Sequence, residues 1–331
     1  MCIWNSLCAE ANNTDRVCYQ GYGAAMVKVE KVDCADFKDV QDTLINFWGK
    51  GSEEKWRKLF EYRWERDEDY CGLALRDDGQ TVGFIGMIFS RRRINGRVEK
   101  FCNLSSWFVR EEYRTRAVSL LLPLLRMRDY TITDLTPSRT VYQIQQKLGF
   151  KDLDAHGRIL LPFGRRLFGA KHLAVQTTHA EADIRQILSA VHLKIFDDHH
   201  DYQCEHFLLS AGKRYCYIIY SRHKRKRLPF VYIHYISDQD LFGQTYPQIR
   251  GAIMSHARVC FAVIDSRLVA GLKLPVSFCL PYRTPKQYLS SSLEPTQIDN
   301  LYSELVLLNL RNHPRLKYWL RNIRQKLFGS T

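Results

Sequence analysis

Apolar positions along this chain switch between the alternating period of strands and the three-to-four spacing of helices, and the switches mark out its elements. Val27–Val32 reads as a first strand, followed by a helix over Asp33–Trp48 that carries Phe37, Val40, Leu44, Ile45 and Trp48 on one face. A second helix over Glu53–Trp64 groups Trp56, Leu59, Phe60 and Trp64. The alternating period then returns over Gly72–Arg76, Thr81–Ser90 and Arg97–Val109, with turns at Asp77–Gln80 and at Asn95-Gly96. Next, Arg114–Arg128 has leucines at 120, 121, 124 and 125, the stripe of a buried helix face, and Tyr130–Leu135 is a strand. Ser138, just after Pro137, is placed to cap a helix that Gly149 closes before Phe150 opens another strand.

The second half repeats part of this order. Tyr215–Tyr220, Ser221, the basic turn Arg222–Arg227 and the strand Leu228–Ser237 mirror Phe84–Phe89, Ser90, its basic turn and the long strand, at an offset of 131 from Ser90 to Ser221. The same offset relates Asp134 to Asp265, each closing a short apolar strand, with Leu241–His256 as the intervening helix. Leu161-Pro162-Phe163 and Leu280-Pro281-Tyr282 are then related by only 119. The twelve missing positions match Ser138–Gly149 in length, so the spacing predicts a degenerate second copy without that helix.

With 331 residues, 45% of them hydrophobic, the chain is long enough for two cores. No run of about 18 uncharged apolar residues occurs, so no transmembrane helix is expected. Met1–Ala25 lacks periodicity and reads as a disordered or non-native extension (1–26). The ten cysteines show no close pairing and several lie in apolar runs, which reads as buried free thiols in a cytoplasmic protein. The net charge of +14 is uneven, +4 over residues 1–170 and +10 over 171–331. That bias in the second half leaves nucleic acid, an anionic surface or an anionic substrate open as partners.

The turn Arg114-Thr115-Arg116-Ala117-Val118-Ser119 places small side chains where a helix begins, and free N–H groups there can hold a pyrophosphate. Strand, turn, helix, strand, helix and Gly149-Phe150 in this order resemble the acyl-CoA-binding core of the GNAT superfamily of N-acetyltransferases. Arg114, Ala117 and Ser119 fall on that family's Gln/Arg-x-x-Gly-x-Gly/Ala positions, with both glycines replaced, and Ser138 falls on its Asn position. Gln145 stands where the family has its Tyr. The likeness covers residues 27 to 163.

The resemblance implies an α+β fold with a mixed, mostly antiparallel sheet flanked by helices. It implies an acyl-CoA-binding domain at 27–165; the repeat spacing places a degenerate copy at 171–290, and the apolar pattern places C-terminal helices at 295–331. Acetyl-CoA or another acyl-CoA is then the co-substrate, with no metal, and a small-molecule amine is the acceptor. The strand edge at Trp107 and Val109 would take the pantetheine arm, and Arg114, Thr115, Arg116, Ala117, Val118 and Ser119, with Ser138, would surround the phosphates. Transfer to an amine needs a base and often an acid. Glu99 and Asp134 are the nearest carboxylates, and Tyr142, one turn before Gln145, is a substitute acid.

Two rival readings stay open: a non-catalytic protein that has kept only the fold, and a peptidyltransferase using aminoacyl-tRNA, to which the basic second half would suit. Asp197–Asp201 with Cys204 and His206 fits no standard metal spacing and reads as a polar loop. Arg222–Arg227 reads as a solvated hairpin tip. Leu301–Leu310 is an apolar helical run, and Arg315–Leu327 an amphipathic basic helix.

Overall fold

The computed structural model describes residues 27–49, 52–162, 174–225, 227–310, 312, 314 and 315. The N-terminal extension and most of Arg315–Leu327 lie outside them. The described residues form two compact units, one within 27–60, 69–87 and 106–126, the other within 61–68, 88–105 and 127–315.

The first unit starts with β1 (Lys28–Asp33), α1 (Phe37–Trp48), α2 (Glu53–Glu61) and β2 (Tyr70–Asp77). β1 pairs antiparallel with β2 from Lys28↔Arg76 to Val32↔Gly72, and β2 pairs with β3 (Gln80–Ile94). The β2–β3 turn takes Asp78 and Gly79 into positive φ. Gly72 has no room for a side chain, since a Cβ there would lie 2.5 Å from the Ile85 carbonyl oxygen. Phe37, Val40, Leu44, Trp56, Leu59 and Phe60 are buried, as their spacing predicted. Cys34 and Cys71 form a disulfide. That corrects the expectation of free thiols at these two positions, which a separation of 37 residues hid. Cys102, Cys204, Cys216, Cys260 and Cys279 are free.

β4 (Arg97–Val109) leads into a 3-10 helix, Glu111–Leu120, and a second short one, Leu124–Arg126. The single α-helix read over Arg114–Arg128 is therefore absent. Pro123 lies between the two pieces, and its ring and missing N–H cannot be carried inside an α-helix. The leucine stripe still does its packing, with Leu120, Leu121 and Leu124 buried.

The second unit contains β5 (Tyr130–Asp134), α3 (Arg139–Lys147), β6 (Lys151–Leu160), β7 (Gln176–Thr178), α4 (Glu181–Ile187), α5 (Ala190–His199) and β8 (Glu205–Ala211). It continues with β9 (Arg214–Arg225), β10 (Leu228–Ile236), α6 (Gln239–Gln244), α7 (Tyr246–Ala257), β11 (Phe261–Asp265), β12 (Ser277–Leu289) and α8 (Glu304–Leu307). Ser138 caps α3, its Oγ accepting from the Val141 N–H at 3.2 Å. Asp197–His199 are not part of the expected loop, since α5 runs to His199, which is buried, while His200 and Asp201 lie in the turn that follows. Leu301–Leu310 holds only the short α8.

The strand order here is β4-β5-β12-β6-β11-β10-β9-β8-β7. The β9–β10 hairpin, helices α6 and α7, and β11 parallel to β10 repeat the plan of β3, β4 and β5. After β11 comes only a 3-10 turn, Ser266–Val269, where the first half has α3. The last strands of the two halves are exchanged: β12 pairs with β5, and β6 pairs with β11. Leu280-Pro281-Tyr282 accordingly lies inside β12 and does not close it. The β12–β6 register shifts between Pro281 and Lys286, where proline has no N–H to give the ladder.

Candidate active site

β4 and β5 run parallel from Lys100↔Tyr130 to Asn103↔Thr133, and there their pairing stops. Asn103, fully buried, fastens this last rung: its Nδ2 donates to the Thr133 carbonyl at 3.2 Å and to Thr133 Oγ1 at 3.0 Å. Its Oδ1 accepts from the Glu304 N–H at 2.8 Å, which seats the first residue of α8 at the ladder's end.

One residue further on, Asp134 ends β5. Its Oδ2 accepts from Gln145 Nε2 at 2.7 Å and its Oδ1 from the Thr136 N–H at 3.3 Å. The Glu304 carboxyl lies against the same turn, its Oε1 accepting from the Leu135 N–H and from Thr136 Oγ1, each at 3.2 Å. Glu304 Oε2 and Gln145 Oε1 are buried without a hydrogen-bond partner, as are both amide atoms of Gln287, which pairs with Asp134 across β12. Among the described residues, no cation is paired with either carboxyl. Burial pushes the Asp134 carboxyl up to about 7, opposed by the two donors on its oxygens. Burial and then the charge of Asp134 push Glu304 higher, to about 8. Both carboxyls therefore titrate near neutral pH, Asp134 before Glu304.

The corresponding strand end in the second half is Asp265. Tyr232 and Tyr282 donate to its Oδ1, and Lys286 Nζ (2.6 Å), Asn300 Nδ2 (2.8 Å) and Arg267 Nη1 to its Oδ2. Arg267 also holds Asp154, through its backbone N–H at 2.9 Å. Burial raises the Asp265 pKa, but the Lys286 and Arg267 charges outweigh it and hold the carboxylate far below its usual range.

No family model and no curated protein matches the sequence. Solved structures do. A GCN5-related N-acetyltransferase from Anabaena variabilis superposes with a TM-score of 0.53 at 11% identity, over 79% of this chain and 72% of that one. A GCN5-related N-acetyltransferase from Kribbella flavida gives 0.51 at 14%, over 81% and 72%. A probable N-acyltransferase from Enterococcus faecalis gives 0.53 at 13%, over 82% and 74%. The chain has the GNAT fold.

Within that fold the residues expected from the sequence lie as follows. Asp134 stands at the end of β5, and Gln145, on the family's Tyr position, is bonded to it. Tyr142 lies on the outer side of α3, its OH accepting from Gln146 Nε2 at 2.6 Å and facing Asp152 at 3.3 Å, with no contact to Asp134. Glu99 precedes Asn103 by four residues, about 13 Å of extended chain; it accepts from Ser292 Oγ at 3.0 Å. The hydroxyl of Ser138 is engaged in its own helix cap. Trp107 and Val109 lie beyond Ser106, which holds a φ of +54° and so bends β4.

Arg114, Thr115, Arg116 and Val118 are exposed and Ala117 and Ser119 half-buried. They lie inside the 3-10 helix and not on its first turn, where Glu111 and Glu112 stand. A 3-10 winding bonds each N–H to the carbonyl three residues back, and Ser119 Oγ donates to the Arg116 carbonyl at 2.6 Å. Glu304 escaped the sequence reading. Its only signal was a lone acid before the apolar run Leu305–Leu308.

Among the described residues, no helix is long and apolar enough to cross a membrane, and no group of His, Cys, Asp and Glu is arranged to hold a metal ion.

Proposed function

We propose that this chain is an acyl-CoA-dependent N-acyltransferase that transfers an acetyl or related group to the primary amine of a small molecule or amino sugar. The amine attacks the thioester carbonyl directly. The reading rests on the GNAT fold together with one observation: an uncompensated, buried Asp134 at the end of the β4–β5 ladder, poised to ionise near neutral pH. Asp134 takes the proton of the attacking amine, and Trp107, Val109 and the turn Arg114–Ser119 serve the CoA arm and phosphates. Residues 27–165 and 171–290 are read as two copies of the fold, of which the first handles the cofactor and the second shapes the acceptor side.

Titration calorimetry with acetyl-CoA is the test. Binding with a stoichiometry of one per chain is expected, followed by turnover on a panel of amines and amino sugars; no binding at millimolar ligand overturns the proposal. A second reading, a protein that keeps the fold without its cofactor site, is favoured by the 3-10 winding of Glu111–Leu120. Phosphate capture through those N–H groups requires the turn to rewind. Binding of tRNA with a steep salt slope in place of CoA points instead to aminoacyl-tRNA as donor. The Cys34–Cys71 disulfide fits an oxidising compartment better than the expected cytoplasm, and thiol counting on protein from cells decides that point.

A further inference from the structure

The proposed transfer leaves one proton unassigned. A thiolate departs from the tetrahedral intermediate more easily when a proton meets it. The family's Tyr position holds Gln145, which has no proton to give and whose amide is bonded to Asp134. Tyr142 points toward Asp152 on the outside of α3. Among the groups around the ladder's end, Glu304 alone combines three properties. It is fully buried, one carboxyl oxygen is held by two donors from Leu135 and Thr136, and the other is without a partner. An ionised carboxylate with a bare oxygen, sealed from water beside a second carboxyl and facing no cation, is costly. A proton on that oxygen removes the cost and leaves an O–H ready to donate. Among the described residues, Asn103 from β4 and Thr136 from the β5 turn are bonded to Glu304, and Gln145 from α3 and Gln287 from β12 flank Asp134; all four are neutral.

Resting on the proposed function, we infer that Glu304 is the acid of the transfer and Asp134 its base. The amine nitrogen forms the new bond to the acyl carbon and gives its proton to the Asp134 carboxylate. The carbon–sulfur bond breaks with its electron pair going to sulfur, which takes the proton of Glu304. Asp134 and Glu304 end with their protonation exchanged, and passage of one proton from the first to the second restores the starting state. The products are an amide and a free thiol, with no proton gained or lost.

Two measurements test this. The first needs no substrate: infrared absorption of protonated carboxyl groups across pH 6 to 9. Asp134→Asn, in which Asp134 no longer contributes, is expected to show a buried protonated carboxyl at pH 7.5 that is lost when Glu304→Gln is added. Its absence in Asp134→Asn, or its survival in the double variant, overturns the inference.

The second is the pH profile of acetyl transfer from acetyl-CoA to an amine acceptor. A bell is expected, with the acid limb belonging to Asp134 and the alkaline limb to Glu304. Glu304→Gln should remove the alkaline limb and lower kcat at least about a hundredfold with the KM for acetyl-CoA unchanged, while Glu304→Asp restores part of the rate. Loss of rate with the alkaline limb intact means that Glu304 only holds α8 in place, which overturns the acid role. If the parent binds acetyl-CoA but Glu304→Gln transfers as well as the parent, the acid role alone falls. If the parent binds no CoA, the proposed function falls too, and the infrared result separates the two failures.

Discussion

Asp134 and Asp265 occupy the same place in the two halves, each closing a parallel strand beside a hairpin, yet their surroundings are opposite in character. Around Asp265, two cations, two phenols and an amide satisfy every lone pair, so the charge is fixed and the carboxylate ties β10, β11, β12 and Asn300 together. Around Asp134 stand an amide, a backbone N–H and a second carboxyl, with orphaned acceptors on Glu304 and Gln145. Burying a carboxylate without a counter-charge destabilises a fold, and the contrast between an unpaired strand end and a fully paired one is what the proposed catalytic role of Asp134 builds on. The second half has only a 3-10 turn after its strand, and Lys286 enters at the β12 register shift. Its strand end serves as a joint.

The sharpest way to break this contrast is to neutralise each aspartate in turn. Asp265→Asn leaves Lys286 and Arg267 buried against an amide and should cost about 3–5 kcal/mol in urea unfolding. Asp134→Asn replaces a group that is already partly protonated, and below pH 7 its cost should stay under about 1 kcal/mol. Equal losses would mean that both ends are structural.

The pH dependence should separate them by sign. Asp265 has a depressed pKa, so its stabilisation is present above the unfolded carboxylate value near 4 and disappears as pH falls below it. Asp134 and Glu304 have raised pKa values. Their contribution is fully present below about 4 and is lost as pH rises toward about 7 and about 8, by a few kcal/mol each. Glu304→Gln should therefore flatten the decline in urea midpoint between pH 5 and 8 and leave the acid limb untouched. A parallel shift at all pH values would contradict the assignment.

A smaller effect tests whether one half alone handles the cofactor. Ala117→Leu should weaken acetyl-CoA binding at least about tenfold, roughly 1.4 kcal/mol, with the melting temperature nearly unchanged. Ala117→Gly should leave affinity as it was or tighten it, because only a Cβ is removed from the backbone approach. If the leucine variant binds as the parent does, the turn is a helix start and nothing more.

The strand end Asp134, the cap Ser138, the buried faces of α1 and α2, and the hairpin mirrored at an offset of 131 were legible because each is written in local spacing. What was hidden depends on contacts far apart in the chain. Glu304 meets Thr136 from 168 residues away, and within an apolar run an acid gives no sign of where it will be buried. The replacement of the family's Tyr by Gln145 was visible as a loss, while its partnership with Asp134 needed the fold. Pro123 was the local signal against a continuous helix over Arg114–Arg128, and the leucine stripe outweighed it. The exchange of β6 and β12 leaves no trace in periodicity, since a strand alternates in the same way whichever neighbour it joins.

That exchange reaches beyond the native state into the order of synthesis. β5 is made early, but the strand that covers its free side, β12, follows about 150 residues later, a delay of roughly 10–30 s at ordinary elongation rates. Until then the Ile132–Asp134 edge is bare backbone, open to any other strand in the cell. β11 in turn needs β6, made a hundred residues before it. Neither half can therefore be moved to another protein as a finished module, and a break anywhere between β6 and β12 leaves two incomplete sheets.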